Sequence, residues 1–444
     1  MAVLIKDGLV LLKEDGRFVL RKKNILTEGS VIAAVTDSSS VAPACPACKI
    51  IDAAGKLVMP GLINAHTHAY MSLFRNYADD LAFFDWLRKV QAVEEHMTEE
   101  DCYWGTMLSC LEMIKSGTTC FVDMNIKSAR GGAVSGPASA CAGAANDAGL
   151  RAVISRGLAG EADDPENIKK FGQVLDEMEA FKGNDRISFI FGPHAPYSCM
   201  PGYLKKITAK AKELGIGQTI HLSESTAEME SMAKEHCSTP IKYVNDLGVF
   251  DVPVIAAHCV NATDDDINIM KEKHVSVAIN PKSNMKLGNG FAPAKKFLDA
   301  GLNVCLGTDG CGSNNSQNMF QEMNAAALVY KGSGKDAQAV SAEDVLTMAT
   351  EGGAKAVGME GRLGVIKEGA LADIIILDLY QPQLFPSNNL ISGLVYSAKG
   401  SEVETVITDG RIIMEKGRIT STDTGRVIAE CERIAARLMK QEIL

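Results

Sequence analysis

An α/β fold is what this sequence predicts, with eight parallel strands and their helices closed into a TIM-type (β/α)8 barrel beside a small β-sandwich made from the two chain ends. Three observations carry that expectation. Short runs rich in Val, Ile and Phe recur through the middle of the chain and alternate with longer stretches of helical period, the texture of βα units around a parallel sheet. The two ends share a different texture, short apolar strands broken by glycine turns. Polar side chains in the middle of the chain collect at strand ends, where a barrel builds its site.

The end segments come first. "VLIKDGLVLL", "GRFVL" and "GSVIAAV" near the start match "ADIIILDL" (372–379) and "VETVITDGRIIMEKGRI" (403–419) near the end. Residues 1–58 and 365–444 are therefore assigned to one composite β-sandwich domain, and 59–364 to the barrel. The eight barrel strands are expected at 61–68, 118–124, 151–156, 188–194, 217–223, 254–259, 275–280 and 303–309. Helices are expected between them, as in "TEEDCYWGTMLSCLEMIKSG" and "PGYLKKITAKAKELG", both ending in the glycine that stops helices. The tail "TGRVIAECERIAARLMKQEIL" also has helical spacing.

Composition narrows the function. A chain of 444 residues with 46% hydrophobic and 23% charged residues is globular, and a net charge of −10 disfavours a nucleic-acid partner. The only basic run is "RKK" at 21–23. No uncharged apolar span of about 18 residues exists to cross a membrane. Charges at positions 6, 7, 13, 14 and 15 interrupt the N-terminal apolar stretch too often for a secretory signal. Twelve cysteines are scattered, several inside apolar runs (Cys120, Cys259, Cys305), and the lone CxxC, Cys45 to Cys48, reads as a surface turn with two free thiols. A reduced, cytoplasmic protein is expected.

"PGLINAHTHAYMSL" (60–73) places His66 and His68 two apart on a strand, so both rings face one side and Thr67 the other. Two imidazoles with a third and a carboxylate would suit zinc or iron(II), although such a pair also occurs by chance. His194, His221, His258 and Asp309 end four further strands, while His96, His236 and His274 fall in helical or loop segments and read as surface residues. Glu224 follows His221 by three in "IHLSES", where it could stand over a metal as general acid/base or open the helix "SESTAEMESMAKE" with Ser223 or Ser225 as cap. Asp309 ends the nearly uncharged "NVCLGTDG", where a carboxylate is unfavourable without a partner. His258, ending "AAHC", is open to the same metal-site reading or to that of a buried core histidine.

"PGLINAHTH", "HLSE", "AAHC" and "LGTDG", in that order at strand ends, resemble the amidohydrolase superfamily. "GTTCFVDM", "GPHAPYSC", "NPKSNMKLGNG" and "GTDGCGSNNSQNMFQEM" bring the chain nearest the 5-methylthioadenosine/S-adenosylhomocysteine deaminase group within it. The resemblance implies one divalent metal, zinc or iron(II), held by His66, His68, His221 and Asp309. His258 and Asp309 would orient and deprotonate a water, and Glu224 would protonate the ring nitrogen beside the attacked carbon. His194 and Arg156 would touch substrate. Glu94, with Glu95 as the competing register, would bind the ribose hydroxyls. Phe83, Phe84 and Trp86 would wall the pocket, unless their segment is an amphipathic helix packed on the barrel. A second arginine of the group has no counterpart around "CAGAANDAGLR". The fourth strand, "FIFGPH", lacks the lysine of dinuclear members, so one metal is expected.

The implied reaction is hydrolytic deamination of adenosine, 5-methylthioadenosine, 5′-deoxyadenosine or S-adenosylhomocysteine to the inosine analogue and ammonia. Its rivals are a guanine or triazine deaminase or chlorohydrolase with the same metal site, a dinuclear amide-ring hydrolase, and a metal-binding relative without catalysis. A homo-oligomer is a family-level expectation.

Overall fold

A computed structural model describes residues 2–39, 47–125 and 136–441. The N-terminal apolar runs become β1 (Ala2–Glu14), β2 (Arg17–Glu28), β3 (Val31–Asp37), β4 (Lys49–Asp52) and β5 (Lys56–Pro60). Asp15 and Gly16, between β1 and β2, both take positive φ, 49° and 79°, which is the type I′ geometry matched to strand twist. The middle of the chain supplies β6 (Leu62–Thr67), β7 (Thr118–Asn125), β8 (Arg151–Leu158), β9 (Ile187–Phe189), β10 (Gly192–Pro193), β11 (Gln218–Leu222), β12 (Val254–His258), β13 (Ser276–Ile279) and β14 (Asn303–Leu306). The end supplies β15 (Ile374–Asp378), β16 (Val403–Thr408), β17 (Arg411–Glu415) and β18 (Arg418–Ile419). Asp409 and Gly410 turn β16 into β17 with the same pair of positive φ angles, 53° and 70°.

Strands from both chain ends share one nine-stranded sheet, ordered β18-β17-β16-β15-β5-β1-β2-β3, with β4 added on β1. The join is the antiparallel pair β15–β5, in register from Ile374 opposite Pro60 to Asp378 opposite Lys56. The middle strands pair in parallel in two groups, β10-β8-β7-β6 (with β9 on β8) and β11-β12-β13-β14. Hydrogen bonds also run between the groups. Thr219 donates to Phe191 O at 2.8 Å and His221 to His194 O at 3.1 Å on one side, and Asp309 donates to His66 O at 3.0 Å on the other. Inward positions of six strands, Ala65, Val122, Val153, Ile255, Ala278 and Cys305, pack into one buried cluster. Small and branched side chains there leave the strand ends free to carry polar groups.

Helices lie where the sequence spacing puts them. Helix Glu99–Lys115 starts at Thr98, whose hydroxyl caps Asp101 while the Asp101 carboxylate returns to the Thr98 N–H. Helix Pro201–Leu214 stops at Gly215, in the left-handed conformation with φ 67°. The tail forms helix Thr424–Gln441 and packs on Glu99–Lys115, with Cys431 donating to Trp104 O at 3.2 Å and Arg433 meeting Glu100 at 2.7 Å. Among the described residues, no helix is long and apolar enough to cross a membrane.

Two expectations need correction. Cys45 lies outside the described residues, and Cys48 is disulfide-bonded instead of a free thiol. His96 is half-buried with its Nδ1 shielded, whereas His236 and His274 are exposed as expected.

One buried ion pair ties the nine-stranded sheet to the parallel strands. Arg151, on β8 and 2% exposed, donates to both oxygens of Asp373 at 3.1 and 3.2 Å, to Asp409 at 3.3 Å and to Asp185 O at 2.6 Å. Removing one partner of such a pair strands the other in a dry setting. Arg151→Met should therefore lower unfolding free energy by about 3–5 kcal/mol, measured by urea titration.

Candidate active site

The C-terminal ends of β6, β11 and β12 and the turn after β14 bring His66, His68, His221, His258 and Asp309 together. Nitrogens of His66, His68 and His221 lie within 4.8 Å of one another, as do the ligand atoms of His66, His258 and Asp309. His68 Nε2 and His221 Nε2 stand only 3.2 Å apart. Asp309 Oδ1 is 3.4 Å from His68 Nε2 and 3.6 Å from His66 Nε2.

Outer contacts fix the tautomers. His68 Nδ1 donates to Met124 O at 2.6 Å and His221 Nδ1 to His194 O at 2.7 Å, while His258 Nδ1 lies 2.9 Å from Asn284 Oδ1 and 3.3 Å from the Asn280 amide nitrogen. With the proton on Nδ1, the His68 and His221 rings turn their Nε2 lone pairs inward, which is how metal-binding histidines are oriented. His66 is 1% exposed and neither of its ring nitrogens has a hydrogen-bond partner among the described residues. Asp309 is steadied by the hydroxyls of Ser283 and Ser313, which donate to Oδ2 at 2.6 and 2.7 Å, and by the Gly310 N–H on Oδ1 at 2.8 Å.

The protonation states agree with this geometry. Burial drives His66 down to about 4. Burial, then the neighbouring imidazoles, hold His221 well below its ordinary value. Burial alone would raise Asp309, yet the interaction with His66 and the electrostatic influence of the nearby His68 and His258 rings hold it well below the usual carboxylate range. The downward shifts of His66, His221 and Asp309 favour the deprotonated forms that ligate metals. Close lone pairs and an orphaned buried imidazole are unfavourable unless a cation lies between them. The donor set thus fits one divalent metal on His66, His68, His221 and Asp309.

Glu224 follows β11 and lines the same pocket. Burial, with the Asp309 charge as a lesser cause, pushes its carboxyl well above the usual range. Asn289 donates to its Oε1 at 3.0 Å, and His258 Nδ1 lies 3.8 Å from that oxygen. The helix-start reading of this segment holds, since helix Thr226–His236 begins right after Glu224 with Ser225 as cap.

His68, His194, His221, His258 and Asp309 line the pocket, joined by Trp86 and Glu94 on helix Phe83–Glu94. Glu95 is exposed and outside the pocket, whereas Glu94 lines it, with Tyr70 donating to Glu94 at 2.5 Å. Phe83 joins the wall, but Phe84 is 51% exposed and does not. Arg156 is not among the residues that line this pocket. Val153 faces the strand interior and Arg156, three residues on, faces the other way, towards Gln173 at 3.2 Å and Glu177 at 3.9 Å. Its neighbour Gly157 lines the pocket instead. Sequence reasoning missed Tyr70, Tyr197 and the supports Ser283, Asn284, Asn289 and Ser313. Four of these lie inside the segments "NPKSNMKLGNG" and "GTDGCGSNNSQNMFQEM", whose many short polar side chains were the available signal. A wider cleft of about 640 Å³ opens near the start of β14, lined by Leu11, Phe18, Met348 and Lys367 among others, and holds none of these groups.

A sequence profile of the amidohydrolase family matches residues 57–413. The chain is also 45% identical, over the whole length of both proteins, to a 5-methylthioadenosine/S-adenosylhomocysteine deaminase from Caldanaerobacter subterraneus subsp. tengcongensis. The chain belongs to the amidohydrolase family. This amidohydrolase superposes on a zinc-bound adenosine deaminase from Xanthomonas campestris with a TM-score of 0.90, at 29% identity over 99% of this chain and 98% of that one. It shares its fold with a zinc-bound atrazine chlorohydrolase from Arthrobacter aurescens, with a TM-score of 0.87 at 23% identity over 98% and 100% of the two chains.

Two outcomes check the amidohydrolase site. His66→Ala should lose bound metal and turnover together, read by metal analysis and ammonia release on one sample. Glu322, buried and raised to about 7, accepts from Asn314 at 2.6 Å, and Asn314 in turn donates to Thr308 O beside Asp309. A carboxyl raised in the folded state holds a proton that the unfolded chain releases from about pH 4.5 upward. Its contribution is complete below that pH and is lost as pH rises through about 7. Glu322→Gln should therefore gain stability relative to the unsubstituted protein across that window, by at most about 1.4 kcal/mol per pH unit. Thermal unfolding against pH measures the difference.

Proposed function

We propose that this amidohydrolase deaminates the adenine ring of adenosine-type nucleosides, among them 5-methylthioadenosine, S-adenosylhomocysteine, adenosine and 5′-deoxyadenosine, giving the inosine analogue and ammonia. The observation that carries the reading is Glu224, a buried carboxyl with a raised pKa in the same pocket as the His66, His68, His221 and Asp309 cluster. The full-length similarity to a deaminase of these nucleosides supports the substrate class.

A divalent ion on His66, His68, His221 and Asp309, zinc in the first instance and iron(II) with the same donors, supplies Lewis acidity that lowers the pKa of water from about 15.7 towards about 7. His258 and Asp309 accept the proton that water gives up as its oxygen bonds to C6. Glu224 holds its own proton and delivers it to N1, making C6 electrophilic. The proton taken from water passes to the amino nitrogen, the C6–N bond breaks and ammonia leaves, while the C6 hydroxyl proton returns to Glu224, leaving a carbonyl at C6 and the hydrogen on N1. His194 meets the substrate from β10, Glu94 accepts from the ribose hydroxyls, and Trp86 with Phe83 walls one side. Trp86 is held for this by its indole N–H, which donates to Gly312 O at 2.9 Å.

We propose with it that residues 59–364 form a closed (β/α)8 barrel and that 1–58 with 365–444 form a composite β-sandwich. Support comes from the hydrogen bonds on both sides of the two parallel groups and from the nine-stranded sheet shared by both ends.

Glu224→Gln should keep its metal and lose about 10²–10⁴-fold in turnover, whereas full activity in that variant would remove the assigned role. Ultraviolet monitoring of adenine-to-hypoxanthine conversion across several 5′-modified adenosines, with guanine and a chlorotriazine in parallel, tests the substrate. Ammonia from the adenosines is expected, and guanine conversion or chloride release in their place would contradict it.

A further inference from the structure

The turn between β11 and helix Thr226–His236 is held in an unusual way. Ser223 takes φ 49°, the left-handed region that a side chain disfavours. The carboxylate of Glu228 reaches back to this turn, accepting the Ser223 N–H on Oε1 at 3.1 Å and the Glu224 N–H on Oε2 at 2.7 Å. From the other side, the Asn261 side-chain amide donates to Ser223 O and Glu224 O, both at 3.3 Å, and the Asn261 N–H donates to Ser223 O at 2.9 Å. Every backbone polar group of Ser223 and Glu224 is therefore engaged.

Glu228 is 4% exposed, and no Lys or Arg among the described residues is within ion-pair distance of it. A buried carboxylate without a cation is unfavourable unless hydrogen bonds hold it, and here two adjacent N–H groups form the small anion cradle that does so. An ordinary capping box would have Glu228 return to the N–H of the cap, Ser225. Ser225 does cap Glu228 N at 3.2 Å, but the carboxylate passes over that residue to the two before it. The extra reach does nothing for the helix end. It fixes the peptide that carries Glu224.

We infer that Glu228 is a positioning residue for the reaction: its carboxylate locks the Ser223–Glu224 peptide and so aims the Glu224 carboxyl at the ligand cluster, with Asn261 bracing the same peptide. The inference rests on the proton-donor role given to Glu224 under Proposed function. Asn289 then orients the tip of a side chain whose base is already fixed. Only a group with two acceptor oxygens satisfies both N–H groups, since a Gln amide would turn an N–H against one of them.

The test uses the full-length, metal-loaded protein with adenosine as substrate. Glu228→Ala should lower kcat by about 10²-fold, the size of effect that misplacement of a catalytic group by about 1 Å produces. KM and metal content should stay within about threefold. Formate, a two-oxygen acceptor small enough for the vacated cradle, should restore kcat saturably in Glu228→Ala and not in Glu224→Gln. Glu228→Gln should also lose kcat, without recovery by formate. A kcat within about threefold of the unsubstituted protein overturns the inference, as does loss of metal in step with activity or failure of formate to restore turnover. Should Glu228→Ala not fold, Asn261→Ala decides: a fall in kcat alone supports the bracing, and an unchanged kcat overturns it. A fully active Glu224→Gln would instead remove the proton-donor role and this inference with it, whereas an inactive Glu224→Gln beside an unimpaired Glu228→Ala overturns this inference alone.

Discussion

His66 is buried with no hydrogen-bond partner on either ring nitrogen among the described residues, and the end of the parallel strands is arranged around that deficit. Its ring lies 5.1 Å from that of His68, 4.9 Å from His221 and 5.4 Å from His258, centre to centre. Aromatic contact alone does not justify so many imidazoles in one dry place, because each brings polar nitrogens that must be satisfied. A cation shared by His66, His68, His221 and Asp309 satisfies them together. Small residues nearby make room for this convergence: a Cβ on Gly307 would come within 2.8 Å of the His66 backbone oxygen.

Around that centre, chemistry divides by environment. Despite its burial, Asp309 is pushed well below the usual carboxylate range by the surrounding imidazoles while Glu224, a short way along the same pocket, is pushed well above it by burial. Two carboxyls pushed in opposite directions are what the proposed acid and base roles require. The outer layer keeps them apart. Ser283, Ser313 and Gly310 donate to Asp309, while Asn289 donates to Glu224 and the Asn284 and Asn280 side chains meet Nδ1 of His258.

Much of this was legible in the sequence, for identifiable reasons. Strand period and apolar runs located six of the eight middle strands to within about two residues of their observed bounds, because those are almost wholly buried. The expected strand 188–194 is instead split into β9 and β10, and the expected strand 303–309 ends at Leu306. The clustered residues His66, His68, His221, His258 and Asp309 were legible because they are polar groups closing apolar runs. Arg156 also ends such a run, and only the alternation from Val153 shows that its side chain lies towards Glu177. Glu94 and Glu95 could not be separated by type, whereas the helix turns one into the pocket and the other to solvent. Glu228 was invisible because its partners are backbone N–H groups, which leave no mark on residue identity.

The central claim is a single ion held by three imidazoles and one carboxylate. X-ray absorption at the zinc edge of zinc-loaded protein tests it most directly. The expected spectrum has nitrogen and oxygen neighbours at about 2.0–2.2 Å with imidazole scattering and no heavier neighbour. A sulfur shell near 2.3 Å, or a second metal at about 3.5–4 Å, would contradict it.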